Sequence, residues 1–366
     1  MSTFRFAPIP AALPATVPFV GPETLERQMG RPFVARLGAN ENGFGPSPLA
    51  VQAMQQAAVG AWQYGDPTSY DLTQALATHL AVAPENIIVG EGIDGLLGLL
   101  VRLMIAPGDN VVTTAGGYPT FNYHVAGFGG VLQTVPYRDD AEDPAGLVAK
   151  ARETGAPLVY LANPDNPMAS WHKADTILAA IDDLPRDCLM VLDEAYGEFA
   201  PSDAIPDIVA DDPRVIRMRT FSKAYGLAGA RIGYAIGHPE LIAGFDRIRN
   251  HFGLNRMAQA GALAALQDQD WLAETQAKVI ASRARIGEIA AQNGMQALQS
   301  ATNFVAIDTG RDGDYARALV RALQDQGIFV RMPGVAPQSR CIRVSCGPEA
   351  DMAALEAALQ KALAAL

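Results

Sequence analysis

The run Cys188-Leu-Met-Val-Leu192 constrains this chain more than any other stretch. It is apolar at every position, so it cannot turn one face to water. Such a strand is buried on both sides, as in a parallel sheet with helices above and below. It stops at Asp193, which opens the segment Asp193-Glu-Ala-Tyr196. A carboxylate at the end of a buried strand needs a positive partner. Four further strand-like runs have the same form. Asn86-Ile-Ile-Val89 leads into Gly90-Glu-Gly-Ile-Asp-Gly95, ahead of a helix expected over Leu96 to Met104. Asn110-Val-Val-Thr-Thr114 leads to Tyr118-Pro-Thr-Phe-Asn-Tyr123, and Pro157-Leu-Val-Tyr-Leu161 to Ala162-Asn-Pro-Asp-Asn-Pro167. Val215-Ile-Arg-Met-Arg-Thr-Phe221 leads to Ser222-Lys223. Turns at the C-terminal ends of strands are where α/β sheets place ligands.

The last of these turns carries the chemistry. In Thr220-Phe-Ser-Lys-Ala-Tyr-Gly-Leu-Ala-Gly-Ala-Arg-Ile-Gly-Tyr234, a lysine, two hydroxyls and an arginine surround small residues. A partly desolvated Lys223 can condense with an aldehyde. Thr220 and Ser222 offer hydroxyls, and Arg231 offers a fork that matches a phosphate dianion. Gly226, Gly229 and Gly233 let the backbone approach a ligand. The glycine turn at Gly92, between strand and helix, offers free N–H groups to the same anion. The ligand implied has an aldehyde at one end and a phosphate at the other, and pyridoxal 5'-phosphate (PLP) fits. An isolated lysine beside a glycine turn is ordinarily a surface feature. Here the whole pattern Ser-Lys-x-x-Gly-Leu-x-Gly-x-Arg-x-Gly is present.

That pattern resembles the lysine motif of the class I and II aminotransferases, PLP enzymes of fold type I. Within them the chain is most similar to the histidinol-phosphate aminotransferases. The resemblance runs from about Asn40 to Gly347, with the anchors in the family's order. It implies a large α/β domain around a mostly parallel sheet and a smaller C-terminal α/β domain. The boundaries expected are an arm over 1–38, a large domain over 39–270, and a small domain over 271–366 joined by the arm.

The resemblance also implies roles. Lys223 would hold PLP and, once freed, act as general base. Asp193 would pair with the ring nitrogen and keep it protonated. Asn166 and Tyr196 would bond the phenolic oxygen. Phe121 would stack on the ring. Gly92, Ile93 and Asp94 would complete the phosphate cup with Thr220, Ser222 and Arg231. Tyr64, in Trp62-Gln-Tyr-Gly-Asp66, would reach the phosphate from the second subunit of a homodimer. Asn42, Phe19, Arg331 and Arg343 would face the substrate, with Arg343 at its anionic end; Arg340 would be solvated.

This chain departs from the family's pattern in places. Phe19 stands where many members have tyrosine in a Pro-Tyr pair, so Pro18-Phe19 lacks that hydroxyl. Ile93 replaces a serine, and Met168-Ala169 replaces Thr-Gly. Phe19 and the altered Asn166-Pro-Met-Ala169 loop keep an aromatic amino-acid aminotransferase open as an alternative. A PLP decarboxylase of the same fold, such as threonine-phosphate decarboxylase, shares the anchors. A non-catalytic PLP-binding regulator is disfavoured by the retained lysine and by the lack of spare length for a DNA-binding domain.

Composition narrows the partners. A net charge of -11 opposes nucleic-acid or anionic-membrane binding. Cys188, Cys341 and Cys346 show no metal-ligand spacing and no even disulfide set, which suits a reducing cytoplasm. No signal peptide or transmembrane run is read, and no metal is expected.

Overall fold

The computed structural model describes residues 4–15 and 19–366. In chain order the strands are β1 (Ala35–Arg36), β2 (Ile87–Gly90), β3 (Asn110–Thr114), β4 (Val131–Val135), β5 (Leu158–Ala162) and β6 (Leu189–Asp193). They continue with β7 (Val215–Thr220), β8 (Gly233–Ile236), β9 (Gln296–Ala297), β10 (Phe304–Asp308), β11 (Ile328–Phe329) and β12 (Cys341–Ser345). Seven of them form one sheet in the order β2-β8-β7-β6-β5-β3-β4. β3 to β7 pair in parallel, and β8 runs antiparallel between β7 and β2. This is the mostly parallel sheet that the apolar runs imply.

β6 is buried at every position. Val191 packs with Leu96, Leu100, Phe121 and Ile216 on one face. Met190 and Leu192 pack with Leu147, Val148, Ile177 and Ile181 on the other. Successive side chains of a strand point to opposite faces, so two covered faces require an unbroken apolar run. The helix Gly92–Met104 supplies the first face; Pro144–Thr154 and Ala174–Asp182 supply the second. The first of these begins at Gly92, four residues before the expected start, so Gly92 to Gly95 form its opening turn.

The register lines up the chemistry. Ala162 pairs with Asp193, and Asp193 with Met218, so β5, β6 and β7 end at nearly one level. Asn163 to Asn166, Asp193 to Tyr196 and Thr220 to Lys223 all leave the sheet there.

Beyond β8 the chain forms three helices, Pro239–Phe245, Arg256–Gln267 and Gln269–Gln292. Asn255 and Asp268 divide them, each accepting a backbone N–H at a helix start. A second sheet follows, β12-β10-β9, all antiparallel. In the run Gly327 to Arg331 only the pair Ile328–Phe329 forms a strand, parallel to β1. Arg331 leaves it to make an isolated bridge with Arg343 of β12. Arg340, expected to be solvated, is only partly so: its side chain is 25% exposed and binds Asp140 at 2.6 Å and Asp308 at 2.7 Å, joining a loop beside the first sheet to the second.

Glu194, next to Asp193, is fully buried and carries two arginines of β7. Arg217 lies 2.9 Å and Arg219 2.8 Å from its carboxylate. Burial opposes its charge, but Arg219 and Arg217 outweigh that and hold its pKa below the ordinary value. Removing one member of a buried ion cluster strands the others. Glu194→Ala is therefore expected to lower the unfolding free energy by about 3–5 kcal/mol in denaturant titration. A loss below about 1 kcal/mol, the size of an exposed pair, would contradict this arrangement.

Candidate active site

A cavity of about 920 Å³ opens at the C-terminal ends of β5, β6 and β7. Asp193 closes its floor. It is 5% exposed and accepts bonds from the Tyr160 hydroxyl at 2.6 Å and the Ala195 N–H at 2.9 Å. Both partners are neutral, and burial pushes its pKa up to about 6. A buried carboxylate with only neutral partners is completed by a cation.

Lys223 stands on the turn after β7, partly buried, with Nζ 3.1 Å from the Asn40 carbonyl oxygen. Burial, then the charge of Arg343, brings its pKa down to about 8. Arg231 sits in a left-handed conformation, φ 55°, and gives its N–H groups to the Ser222 hydroxyl at 3.4 Å and the Ala228 carbonyl at 3.0 Å. Around it the wall is shaped for close approach. A Cβ on Gly92, whose φ is +78°, would lie 2.7 Å from the Arg231 guanidinium. A Cβ on Gly233 would lie 3.1 Å from the backbone nitrogen of Ile93. Thr220 and Ser222 are buried on the same side. Helix N-terminus, two hydroxyls and an arginine make a cup for a phosphate.

Arg343 and Arg331 line the same cavity. Arg343 gives one N–H to the Asn166 side-chain oxygen and another to the Gly38 carbonyl at 3.2 Å. Its Nε has no partner among the described residues. Burial first, then the neighbouring Arg331, lowers its pKa to about 10. Arg331 stacks between Phe19 and Phe329 at 5.6 and 5.5 Å and donates to the Val20 carbonyl at 3.0 Å. Among the described residues, Lys223, Arg231, Arg331 and Arg343 thus hydrogen-bond only to neutral groups. The donor set fits PLP: a cup for its phosphate, an amine for its aldehyde, a carboxylate for its ring nitrogen. A further anion fits the two arginines.

Several sequence expectations move when the side chains are placed. Phe121 does not line the cavity. It is fully buried and stacks on Tyr160, with centroids 4.6 Å apart and planes 19° from parallel. Tyr118 lines the cavity in its place and donates to Asp94 at 2.9 Å. Tyr118 is the N-cap of the helix Pro119–Gly127, so it projects from the helix start, whereas Phe121 in the first turn faces the core. Asn42 also lies off the cavity, bonding the Ala224 carbonyl at 3.1 Å and the Phe44 N–H at 3.0 Å. Asn40 borders the cavity instead. Its signal was an asparagine in a turn, a residue that tolerates positive φ. Tyr160 went unread because a strand tyrosine looks like core.

Other expected residues fall at or near the cavity. Ile93, Asp94, Asn166, Tyr196 and Phe19 line it. Gly92 stands behind it against Arg231. Pro18 lies outside the described residues. Tyr64 is 75% exposed, packed on Phe252 at 4.7 Å, and does not reach this chain's own cavity.

Comparison with known proteins places these features. A family model described as "Aminotransferase class I and II" matches residues 34–361. The chain is 35% identical to the histidinol-phosphate aminotransferase of Anaeromyxobacter sp. (strain Fw109-5), over 97% of this chain and 98% of that one. It is 58% identical to a histidinol-phosphate aminotransferase of Sinorhizobium meliloti solved with pyridoxal-5'-phosphate. That structure superposes with a TM-score of 0.97, covering 100% of this chain and 99% of that one. A Thermus thermophilus aspartate aminotransferase double mutant, 22% identical, superposes with a TM-score of 0.82 over 99% and 100% of the two chains, a likeness of fold.

The lysine environment has a direct consequence. In protein stripped of any bound aldehyde, reaction of Lys223 with a small acylating reagent should rise with a midpoint near pH 8. Exposed lysines should rise near pH 10, the ordinary range. Peptide mapping across a pH series measures both. A Lys223 midpoint at the ordinary value would contradict its desolvation.

Proposed function

The chain belongs to the class I and II aminotransferases, and on that premise we propose that it moves an amino group from histidinol phosphate to a 2-oxo acid such as 2-oxoglutarate. It is a PLP-dependent aminotransferase. The observation that carries the choice of donor is the pair Arg331 and Arg343, two guanidiniums on bridged backbones that line the cavity and hydrogen-bond only to neutral groups. A phosphate dianion can use both forks.

Bound PLP supplies an aldehyde carbon for the amino group and a ring that takes up the electron pair left when a proton departs. The rest is done by side chains. Thr220, Ser222, Arg231 and the N–H groups at Ile93 and Asp94 would hold the cofactor phosphate. Asp193 would pair with the ring nitrogen and keep its proton in place. Tyr118 would border the ring. Asn166 and Tyr196 would face its phenolic oxygen. Lys223 is unprotonated in part near neutrality, so its Nζ could take the proton from the donor carbon that bears the amino group. Arg343, with Arg331, fixes the donor by its anionic end.

The same reading includes a homodimer. Trp62, Tyr64 and Phe252 are 83%, 75% and 51% exposed, an apolar group suited to a second copy. Tyr64 would then complete the partner's phosphate cup. The unpaired, buried cysteines accord with a cytoplasmic enzyme. Among the described residues, no helix is long and apolar enough to cross a membrane.

An aromatic amino acid is the alternative donor, favoured by Phe19 and Tyr123, which meet edge to face at 6.1 Å on the cavity wall. Two experiments test the reading. Borohydride reduction of the holoenzyme should label Lys223, and Lys223→Ala should abolish transamination; label on another lysine would overturn the assignment. With histidinol phosphate, Arg343→Ala and Arg331→Ala should each lower kcat/KM by roughly tenfold to a hundredfold, the worth of a charged hydrogen bond. An aromatic donor would make Arg343→Ala costly and leave Arg331→Ala nearly silent.

A further inference from the structure

Asn40 bonds two of the residues named above, Tyr196 and Lys223. It is 2% exposed, borders the cavity, and holds a left-handed backbone with φ 55°. Its Nδ2 donates to the Tyr196 hydroxyl oxygen at 3.0 Å. Its carbonyl oxygen accepts from Lys223 Nζ and from Asn303 Nδ2, each at 3.1 Å. Its N–H donates to the Ser345 hydroxyl at 3.0 Å, two residues beyond Arg343 on β12.

Each bond has a direction. A phenol oxygen that accepts an amide N–H on one side gives its own proton elsewhere. For Tyr196 the open side is the cavity. An amine that gives one N–H to a carbonyl turns its lone pair away from that carbonyl, which for Lys223 is again toward the cavity. We propose that Asn40 is a positioning residue: its amide aims the Tyr196 proton into the cavity while its carbonyl parks the Lys223 amine. The inference rests on the PLP reading above, because the acceptor for the aimed proton is the phenolic oxygen of the cofactor.

Asparagine suits both tasks. It tolerates left-handed φ better than most residues, and its amide is a neutral donor. Glycine keeps the backbone and loses the donor. Aspartate keeps the backbone but offers only acceptors. The charged groups facing Lys223 are Arg343, Glu41, Arg231 and Asp94. Those facing Tyr196 are Arg343, Asp193 and Asp165. Asn40→Gly alters none of these charges.

The test is a pH titration of the visible absorbance of the PLP-loaded protein, in wild type, Asn40→Gly, Tyr196→Phe and the double variant. A hydroxyl that donates to the phenolic oxygen stabilises its anionic form. Weakening that donation should raise the midpoint, by about half to one pH unit, the equivalent of one ordinary hydrogen bond. The shift should vanish when Tyr196 is already phenylalanine, the coupling expected of a residue acting through another. In the cofactor-free protein, the Lys223 acylation midpoint should stay the same in Asn40→Gly, because the carbonyl remains. A wild-type midpoint unmoved by Asn40→Gly, or moved equally in both backgrounds, overturns the proposal and leaves the PLP reading intact. A wild-type protein that takes up no PLP overturns both.

Discussion

The buried carboxylate of Asp193 is the constraint on which the rest of the site depends. It ends a strand buried at every position, with a tyrosine hydroxyl and one N–H as its partners. Such a charge is costly in a low-dielectric interior unless a cation meets it. Around it stand Lys223, Arg231 and Arg343, each bonded to neutral groups. Opposite charges are therefore held apart across one cavity and complete one another only through a ligand. The parallel register makes this possible by ending three neighbouring strands at one level. The Glu194 cluster beside Asp193 shows the contrast: there the charges are paired within the protein.

The anionic end of the substrate is set by a different device. Arg331 and Arg343 come from the C-terminal part of the chain, bridged through their backbones. Their planes lie over Phe19, Phe329 and Phe304. Stacking holds a guanidinium in place while leaving its edge N–H groups free for an anion. Phe19 and Arg343, far apart in sequence, thus share one cavity.

Much of this was legible in the sequence, and the limits have physical causes. The sheet could be read because an apolar run without alternation has few other fates, and each run stopped at a polar turn. Lys223, Asp193, Asn166 and Arg343 could be read because each is fixed by a few neighbours in sequence. Tyr118 was missed in favour of Phe121 because the choice depends on which way the first helical turn faces the sheet. Asn40 was missed in favour of Asn42 because one left-handed residue reverses the side of a loop from which the next side chain emerges. Tyr160 and Arg340 act through partners distant in sequence, such as Asp193 and Asp140. No local pattern records such pairs.

The central claim is that Asp193 waits for a cationic ring nitrogen. The most direct measurement is a carbon-13 NMR titration of labelled aspartate carboxyls, with Asp193→Asn identifying the resonance. Without PLP, the Asp193 carboxyl should titrate near pH 6, raised by burial. With PLP bound, the facing positive charge should move that midpoint down into or below the ordinary aspartate range near pH 4. A carboxyl that titrates at the same pH with and without PLP would contradict the account.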